Sequence, residues 1–139
     1  MLAFWGGGAS MGGDPTERSE AMSPVRDRAR TPEDLTRLVV ERARAGDAAG
    51  IAELYEPDAV LAHPPGEITV GRDAIRAVFE RLLAEAPPFR PEAPLPTLRH
   101  GDLALTATRA LDGTGGRAQV VRRQPDGSWL RVLDRPELG

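Results

Sequence analysis

Asp134 is the residue of this 139-residue chain best placed to do chemistry, because its carboxylate ends a predicted β-hairpin. Two runs with apolar residues, 118–123 and 129–134, flank Gln124-Pro125-Asp126-Gly127-Ser128, whose Pro and Asp-Gly are typical of a hairpin turn. Arg135-Pro136 is expected to stop the pairing at once, because proline cannot donate to a strand ladder. If the protein is an enzyme, this strand-end carboxylate is the first candidate for acid–base work.

The composition narrows the chemistry further. The chain has no cysteine, which rules out disulfides, a thiol nucleophile and thiolate metal ligands. Its two histidines, His63 and His100, are too few for a histidine-rich metal centre, although carboxylates could supplement them. We therefore expect neither a metal ion nor another cofactor.

Charge and hydropathy bear on the possible partners. The formal net charge is -3, and all 18 basic residues are arginines spread along the chain, which argues against a dedicated nucleic-acid surface. No stretch approaches the roughly 18 consecutive apolar residues of a membrane span. Residues 1–5 have no basic side chain and run into glycines, which makes a poor signal peptide and favours a cytoplasmic location.

The length allows one domain with one hydrophobic core. Residues 1–30 contain glycine runs, prolines and alternating charges without apolar periodicity, so we expect a disordered N-terminal extension. The folded domain is expected to span residues 31–139. It would begin at Thr31-Pro32-Glu33-Asp34, where a threonine N-cap, a proline and two acids favour a helix start.

Three helices are predicted from apolar residues at helical spacing. The first follows Thr31 and ends at Gly46. The second is short, is capped by Asp47, carries Tyr55 near its end and is closed by Pro57. The third follows Gly71 and has the clearest apolar face, formed by Ile75, Val78, Phe79, Leu82, Leu83 and Ala86.

Extended segments surround and follow the third helix. Residues 59–63 and 67–70 flank the Pro64-Pro65-Gly66 turn and predict a short hairpin. Residues 97–100 and 103–108, followed by the two runs of the last hairpin, predict an antiparallel meander. Helices first and a meander last indicate an α+β fold, with the helices packed on one face of a sheet.

This order of elements carries three motifs that resemble the SnoaL-like domains, small bacterial members of the nuclear-transport-factor-two-like superfamily. The motifs are Gly46-Asp47 with Leu54-Tyr55-Glu56-Pro57-Asp58-Ala59-Val60, then Gly71-Arg72-Asp73-Ala74-Ile75, and finally Asp126-Gly127-Ser128-Trp129 with Leu133-Asp134-Arg135-Pro136. The resemblance implies a cone-shaped barrel, in which a strongly bent antiparallel sheet packs on three N-terminal helices around an apolar cavity. Known relatives include ketosteroid isomerase, polyketide cyclases, limonene epoxide hydrolase, dehydratases and proteins that only bind, so the fold does not name an activity.

Within such a cavity, Asp134, Tyr55 and His63 are the candidates for acid–base catalysis. In the resembling enzymes an acidic residue on a C-terminal strand often acts as acid or base, which makes Asp134 the predicted base. The alternative is a structural ion pair of Asp134 with Arg135 or Arg109. Tyr55 would donate a hydrogen bond to a ligand carbonyl, or pack in the core with its hydroxyl at the rim. His63 precedes a turn near the expected pocket mouth, where it would be a second donor or a solvated turn residue.

Four further residues are candidates to contact a ligand. Phe79 and Trp129 would pack in the core or line the pocket. Strict alternation from Trp129 onward places Val132 on the face of Asp134, which would line the core unless a bulge intervenes. Arg109 shares a strand face with three apolar residues, so it is expected to enter the cavity and orient an anionic group, or to pair with Asp134.

The sequence supports two functional hypotheses. The first is a small enzyme that acts on an apolar carbonyl compound by acid–base chemistry, as an isomerase, a polyketide-cyclase-like enzyme or a dehydratase. The second is a non-catalytic domain that binds a small hydrophobic ligand or a protein partner. Epoxide hydrolysis would need an Asp-Arg-Asp arrangement, of which Arg109 and Asp134 supply only part. For both hypotheses, the resemblance implies a homodimer formed through the outer face of the sheet. We expect no nucleic-acid partner and no membrane partner.

Overall fold

A computed structural model describes residues 25–85 and 92–138. These residues form three helices, α1 (Asp34–Arg44), α2 (Ala48–Ala52) and α3 (Arg72–Glu85). They also form seven strands, β1 (Tyr55–Leu61), β2 (Thr69–Val70), β3 (Glu92–Pro94), β4 (Leu98–His100), β5 (Leu103–Ala110), β6 (Gly116–Arg123) and β7 (Trp129–Leu138). None of the helices in these ranges is long and apolar enough to cross a membrane.

The strands form one curved, mostly open sheet in the order β2-β1-β7-β6-β5-β3, with β4 pairing to the same side of β5 as β3. The helices pack on one face of this sheet, and the predicted α+β class is confirmed. Strands β5, β6 and β7 form the predicted antiparallel meander. One pair departs from the antiparallel expectation, because β1 and β7 run parallel. Parallel strands need a long connection between them, and here α3 and the strands of the meander lie between β1 and β7 in the chain.

The core lies between the helices and the sheet in two clusters. The first joins α1 to β5, β6 and β7 and contains Ala29, Leu35, Leu38, Leu54, Ala104, Val121 and Trp129. The second joins α2 and α3 to β1 and contains Ile51, Tyr55, Ala59, Leu61, Ile75 and Val78. The apolar face predicted for α3 is therefore the face that packs, with Phe79, Leu82 and Leu83 half-buried beside the second cluster.

Residues 26–29 contact the domain, ahead of the predicted boundary at residue 31. Ala29 is 1% exposed, and its carbonyl accepts a hydrogen bond of 3.0 Å from the backbone N–H of Trp129. The Arg26 guanidinium donates to both carboxylate oxygens of Asp47, at 2.7 and 2.9 Å. The predicted domain start at residue 31 therefore lies a few residues too far along the chain. Local spacing does not reveal these contacts, because Asp47 and Trp129 are distant in the sequence. The rest of the predicted extension, residues 1–24, lies outside the described residues.

Asp47 joins this N-terminal segment to α2. It is the N-cap of α2, and its side chain accepts a hydrogen bond of 2.9 Å from the Gly50 N–H. Burial acts to raise the pKa of Asp47, but the hydrogen bonds from Arg26 and Gly50 outweigh it and hold the pKa below its ordinary value. A Cβ at position 50 would collide with the Asp47 carboxylate, so a glycine fits this position best.

Asp47→Ala is expected to lower the free energy of unfolding by about 1–2 kcal/mol at neutral pH, the usual cost of removing an N-cap side chain. Because the folded-state pKa is depressed, this contribution is complete above the unfolded-state value of about 4 and is lost as the pH falls through the folded-state value. Urea unfolding at neutral pH and at about pH 3 measures both differences. Asp102→Ala is the control, since it removes an exposed carboxylate paired with Arg123 and should change stability by at most about 1 kcal/mol. Equal losses in the two variants would contradict the role assigned to Asp47.

Strand β7 continues past its predicted end at Asp134 and reaches Leu138. Arg135 pairs with Ala118, and Leu138 pairs with Gly116, so two residues of β7 lie opposite the single residue 117 of β6. The extra residue makes the ladder irregular at Pro136, where a missing N–H is tolerated. Strand β7 therefore continues through Pro136, and its register with β6 shifts at this point.

Candidate functional site

A bulge in β7 decides which side chains enter the interior. Arg131 and Leu133 pair with consecutive residues of β6, so Val132 has no partner in the ladder. The extra residue resets the alternation, and Arg131 and Asp134 both lie on the helix side of the sheet, each 5% exposed. Leu133 and Arg135 are exposed on the opposite face.

The expected placement of Val132 is therefore wrong. Strict alternation puts Leu130 and Val132 beside Asp134, but both are only half-buried. The residues that are buried with Asp134 are Trp129 and Arg131, at 4% and 5% exposure. A strand with no bulge has a side-chain period of two, so a single extra residue moves every later side chain to the other face.

Asp134 accepts hydrogen bonds from three buried side chains. The Tyr55 hydroxyl donates to Oδ2 at 2.5 Å, and Arg131 Nη1 donates to the same oxygen at 3.3 Å. Gln119 Nε2 donates to Oδ1 at 3.2 Å. A carboxylate has about four lone-pair positions, so with these contacts to described residues one position on Oδ1 stays open.

Tyr55 opens strand β1 instead of ending the second helix as predicted. Helix α2 stops at Ala52, and Tyr55 pairs with Arg131 in the parallel β1–β7 ladder. The side chain is fully buried. Burial raises the pKa of Tyr55 well above its ordinary value, and the negative charge of Asp134 adds to this. The Tyr55 hydroxyl therefore stays protonated and donates a hydrogen bond to the Asp134 carboxylate.

Arg131 lies against both of these residues. Its Nη1 donates to the Tyr55 hydroxyl at 3.2 Å as well as to Asp134, and its guanidinium carbon is 5.7 Å from the centroid of the Tyr55 ring. Burial acts to lower the pKa of Arg131, but the interactions with Tyr55 and Asp134 outweigh it and raise the pKa above its ordinary value. Arg131 therefore stays charged and balances the Asp134 carboxylate inside the protein.

Thr106 and Gln119 complete the set of contacts. The Thr106 hydroxyl donates to Gln119 Oε1 at 2.9 Å, which turns the amide so that Nε2 points toward Asp134. Both residues are buried. We call these five residues, Tyr55, Thr106, Gln119, Arg131 and Asp134, the buried polar group.

Sequence reasoning missed three members of the buried polar group, namely Thr106, Gln119 and Arg131. Each one interrupts an otherwise apolar or small-residue strand: Thr106 lies within LALTA, Gln119 within AQVV and Arg131 within WLRVL. A polar residue in such a strand is a usable signal, because a buried polar side chain needs partners inside the protein. The signal identifies candidates, but only the register shows that they meet.

The two aromatic candidates occupy different surroundings. The ring of Phe79 is half-buried and lies 6.1 Å from the ring of Tyr55, measured between centroids. Trp129 packs in the cluster under α1, and the Arg99 guanidinium lies 5.6 Å from its ring centroid. Phe79 is therefore a neighbour of the buried polar group, whereas Trp129 is a core residue at the start of β7.

The remaining candidates lie outside the buried polar group. His63 is half-buried in the turn after β1, where its carbonyl accepts a hydrogen bond of 2.6 Å from the Thr69 hydroxyl. Arg109 was expected to enter the cavity, and this placement is wrong. The face of β5 that it shares with Leu103 and Leu105 is exposed, while the opposite face, with Ala104, Thr106 and Ala110, is buried.

Two cavities lined by described residues, of about 620 and 450 Å³, both adjoin residues 25–28. Trp129 lines the larger one, together with Arg26, Arg42 and Arg72. Tyr55, Arg131 and Asp134 line neither of the two. A ligand bound in either of these two cavities would therefore not contact Tyr55, Arg131 or Asp134.

Arg131→Met is expected to lower the free energy of unfolding by about 3 kcal/mol, because it leaves the buried Asp134 carboxylate without its cation. Urea unfolding measures the loss. The double variant Arg131→Met/Asp134→Asn should lose less than the sum of the two single variants. Arg123→Met, which breaks an exposed pair with Asp102, is the matched control and should cost at most about 1 kcal/mol. A loss for Arg131→Met no larger than the control would mean that the pair does not stabilise the fold.

A curved, mostly open sheet with three helices packed on one face defines an α+β protein. The model of the SnoaL-like domain family matches residues 36–134, and the chain belongs to that family. The family predicted from the sequence motifs is thus confirmed. No curated protein matches the sequence significantly.

Solved structures share the fold at low sequence identity. A Mycobacterium tuberculosis protein of unknown function superposes with a TM-score of 0.66 at 18% identity, covering 77% of this chain and 73% of that one. A putative calcium/calmodulin-dependent protein kinase type II association domain from Thiobacillus denitrificans gives 0.64 at 22% identity, covering 80% and 98%. A ketosteroid isomerase-like protein from Erwinia carotovora atroseptica gives 0.58 at 18% identity, covering 74% and 89%.

Proposed function

We propose that this SnoaL-like domain catalyses proton transfer at a carbon next to a carbonyl group in a small, largely apolar substrate. The observation that carries the proposal is the buried Asp134 carboxylate, which has one open lone-pair position on Oδ1. A carboxylate held in this way inside an apolar core is a general base with a fixed orientation. Tyr55 and Gln119 set that orientation from opposite oxygens.

The proposed reaction uses the Asp134 carboxylate as its base. The substrate C–H bond breaks, the proton passes to Asp134 Oδ1, and the electron pair forms a carbon–carbon double bond as the carbonyl electrons move onto oxygen. Return of the proton from Asp134 to another carbon is an isomerisation. Attack of the enolate carbon on a second carbonyl is a cyclisation, in which the new alkoxide takes the proton back from Asp134. Loss of a β-hydroxyl group is a dehydration, in which the leaving hydroxide takes that proton and departs as water. The family includes isomerases and cyclases, and one structural neighbour bears the name ketosteroid isomerase-like.

Hydrogen–deuterium exchange tests this proposal directly. Two plain ketones of different size, cyclohexanone and 2-decalone, are incubated with the protein in D₂O, and the loss of their α-hydrogen signals is followed by NMR. Exchange with at least one ketone should exceed the rate in buffer containing an equal amount of serum albumin. Equal rates in both solutions for both ketones would count against proton transfer at carbon.

The second candidate is a non-catalytic domain, and one observation favours it. The hydrogen bonds to Asp134 come from the protein's own side chains, and the buried polar group borders neither of the two cavities. In that case the group would stabilise the interior of a domain that binds a hydrophobic ligand or a partner elsewhere.

His63 stays a predicted second donor in the catalytic proposal, although its ring is not one of the hydrogen-bond donors to Asp134.

Under either candidate we propose a cytoplasmic homodimer that forms through the outer face of the sheet. The strand registers align one outward apolar residue from each of six strands in a single row, formed by Leu98, Leu105, Val120, Leu133, Val60 and Val70. Four of these side chains are between 39% and 63% exposed. Monomeric proteins rarely leave so long an apolar strip uncovered.

A second copy of the chain is the occupant that fits this row. Six strands at a spacing of about 4.8 Å make the row about 24 Å long. That length is similar to the width of a standard interface patch of about 800 Å² per partner. A straight apolar row can also face its own copy across a two-fold axis, as a closed dimer requires. The name of the Thiobacillus denitrificans neighbour, an association domain, agrees with a fold of this kind acting in assembly.

A further inference from the structure

The larger of the two cavities has the size and the lining of a binding site for a small molecule. Its volume of about 620 Å³ lies within the usual range of roughly 300–1,000 Å³ for such sites. Residues 25–29 form one side, and the end of α1, the segment before β1, the first residue of α3 and the β6–β7 hairpin form the rest. No member of the buried polar group lines this cavity.

Arg42 places a buried positive charge on the wall of this cavity. The residue is 8% exposed, and its guanidinium donates from Nη1 to the Gly50 carbonyl at 2.6 Å and from Nη2 to the Asp27 carbonyl. Both acceptors are uncharged, and no carboxylate in residues 25–85 or 92–138 forms an ion pair with Arg42. Burial lowers the pKa of Arg42 below its ordinary value, because the negative charge of Glu53 offsets only part of the cost. An arginine nevertheless stays charged near neutral pH, and an anionic ligand would reduce the cost of burying it.

Arg42 also has a donor left for a ligand. Its Nε–H makes no hydrogen bond with a described residue. Arg131 Nε is the one side-chain donor of the described residues that is both fully enclosed and unpaired, so Arg42 Nε keeps some accessible surface. Because the rest of Arg42 is buried and the residue lines this cavity, that surface faces the cavity. Arg42 therefore presents to the cavity a charged N–H group whose hydrogen bond is not yet made.

Arg72 adds a second cation to the same wall. This half-buried residue donates from Nε and Nη2 to the Tyr55 carbonyl, at 3.0 and 2.6 Å. Within the part of the chain that the structure describes, Arg72 has no carboxylate partner either. The other two arginines of the lining, Arg26 and Arg28, each form an ion pair with a carboxylate. The uncompensated positive charge on the wall therefore belongs to Arg42 and Arg72.

The rest of the lining limits the ligand that these two arginines can hold. Three acids share the wall, namely Asp27, Glu53 and Asp126, so they repel a ligand with two negative charges more strongly than one with a single charge. Leu54 and Leu130 also line the cavity and can contact an apolar body. A carboxylate matches the planar N–H groups of a guanidinium in both shape and charge.

We infer that this cavity binds a small monocarboxylate with an apolar body, and that Arg42 donates a hydrogen bond to its carboxylate. Arg72 supplies the second positive charge on the wall. The site is separate from the buried polar group that carries the proposed function, so the outcome of the deuterium exchange experiment does not decide this inference. A bound monocarboxylate provides both the acceptor and the counter-ion that Arg42 lacks among its described neighbours.

Benzoate and benzamide test the inference, because they have nearly the same shape and only benzoate is charged. Each is titrated into ¹⁵N-labelled protein, and the shifts of the backbone amide signals of Leu54, Trp129 and Leu130 give its dissociation constant. Benzoate should bind about tenfold or more tightly than benzamide, the usual worth of a hydrogen bond to a charged group. Phenyl phosphate is a dianion at about pH 8, and at that pH it should bind more weakly than benzoate. Equal affinities for benzoate and benzamide, tighter binding of phenyl phosphate, or no shift of these amides up to the solubility limit of benzoate would each overturn the inference.

Arg42→Met removes the buried cation and should abolish the preference for benzoate, and Arg72→Met should weaken benzoate binding more than benzamide binding. Arg76→Met is the matched control, since Arg76 is an exposed arginine one turn further along α3 and lines neither cavity. It changes the net charge equally and should keep the preference. If Arg42→Met does not fold, the comparison of the probes on the wild-type protein still decides. A folded Arg42→Met protein that keeps the preference, or a control that loses it as fully, would overturn the inference.

Discussion

Asp134→Asn is expected to slow protein-catalysed deuterium exchange into the better of the two ketones by about 10²- to 10⁴-fold, the usual contribution of a general base. Asparagine has nearly the same shape as aspartate and still accepts hydrogen bonds from Tyr55 and Arg131, but its amide oxygen takes up no proton near neutral pH. The rate is measured by NMR from the loss of α-hydrogen signal, at equal protein concentration and with the buffer rate subtracted.

The controls separate chemistry from folding. Asp102→Asn changes an exposed carboxylate in the β4–β5 turn and should exchange ketone hydrogens at the wild-type rate. Urea unfolding of Asp134→Asn shows whether the variant is folded, and Asp134→Glu, which keeps an acid, should retain more activity than the asparagine variant. A folded Asp134→Asn protein with a rate within twofold of wild type would leave the non-catalytic domain as the surviving candidate.

Leu133→Asp is expected to convert the proposed dimer into a monomer and to raise its dissociation constant by about 10³-fold or more. Leu133 lies in the apolar row between Val120 and Val60 and is 48% exposed in the single chain. In a two-fold dimer the substitution places a carboxylate from each copy in the same apolar contact, and unpaired or like charges there cost several kcal/mol. Analytical ultracentrifugation over a range of concentrations measures the change.

Leu111→Asp is the matched control for this variant. Leu111 is also an exposed leucine, at 67%, but it lies in the β5–β6 loop and not in the row. It should leave the dissociation constant unchanged. A wild-type protein that sediments as a monomer at all concentrations, or a Leu133→Asp protein that dimerises like wild type, would contradict the proposed interface.

The elements that the sequence predicts well depend on neighbouring residues. Helix α3 shows its apolar face through spacing alone, and Asp47 caps α2 by accepting from Gly50 three residues away. The last hairpin turns where Asp126 and Gly127 predict it, with Gly127 at a positive φ of 85° and Asp126 accepting from Ser128. Each of these features is decided within a few residues, so a single sequence contains the information.

The elements that the sequence misplaces depend on partners far along the chain. Tyr55 looks like the end of a helix, but pairing with β7 draws it into a strand. Arg109 looks like a cavity residue because it alternates with leucines, yet those leucines lie on the outer face. Apolar alternation tells which residues share a face, but it does not tell whether that face meets the helices or another surface.

The sequence by itself therefore determined the family, the α+β class, the helix faces and the hairpin turn, because short-range spacing and turn chemistry encode them. Only the tertiary structure decided the composition of the buried polar group and the contacts of residues 26–29 with the domain. A single bulge at Val132 brings Arg131 beside Asp134, and Thr106, Gln119 and Tyr55 reach them from three other strands. Strand register is set by the sum of many distant contacts, and one residue of difference exchanges the inner and outer faces.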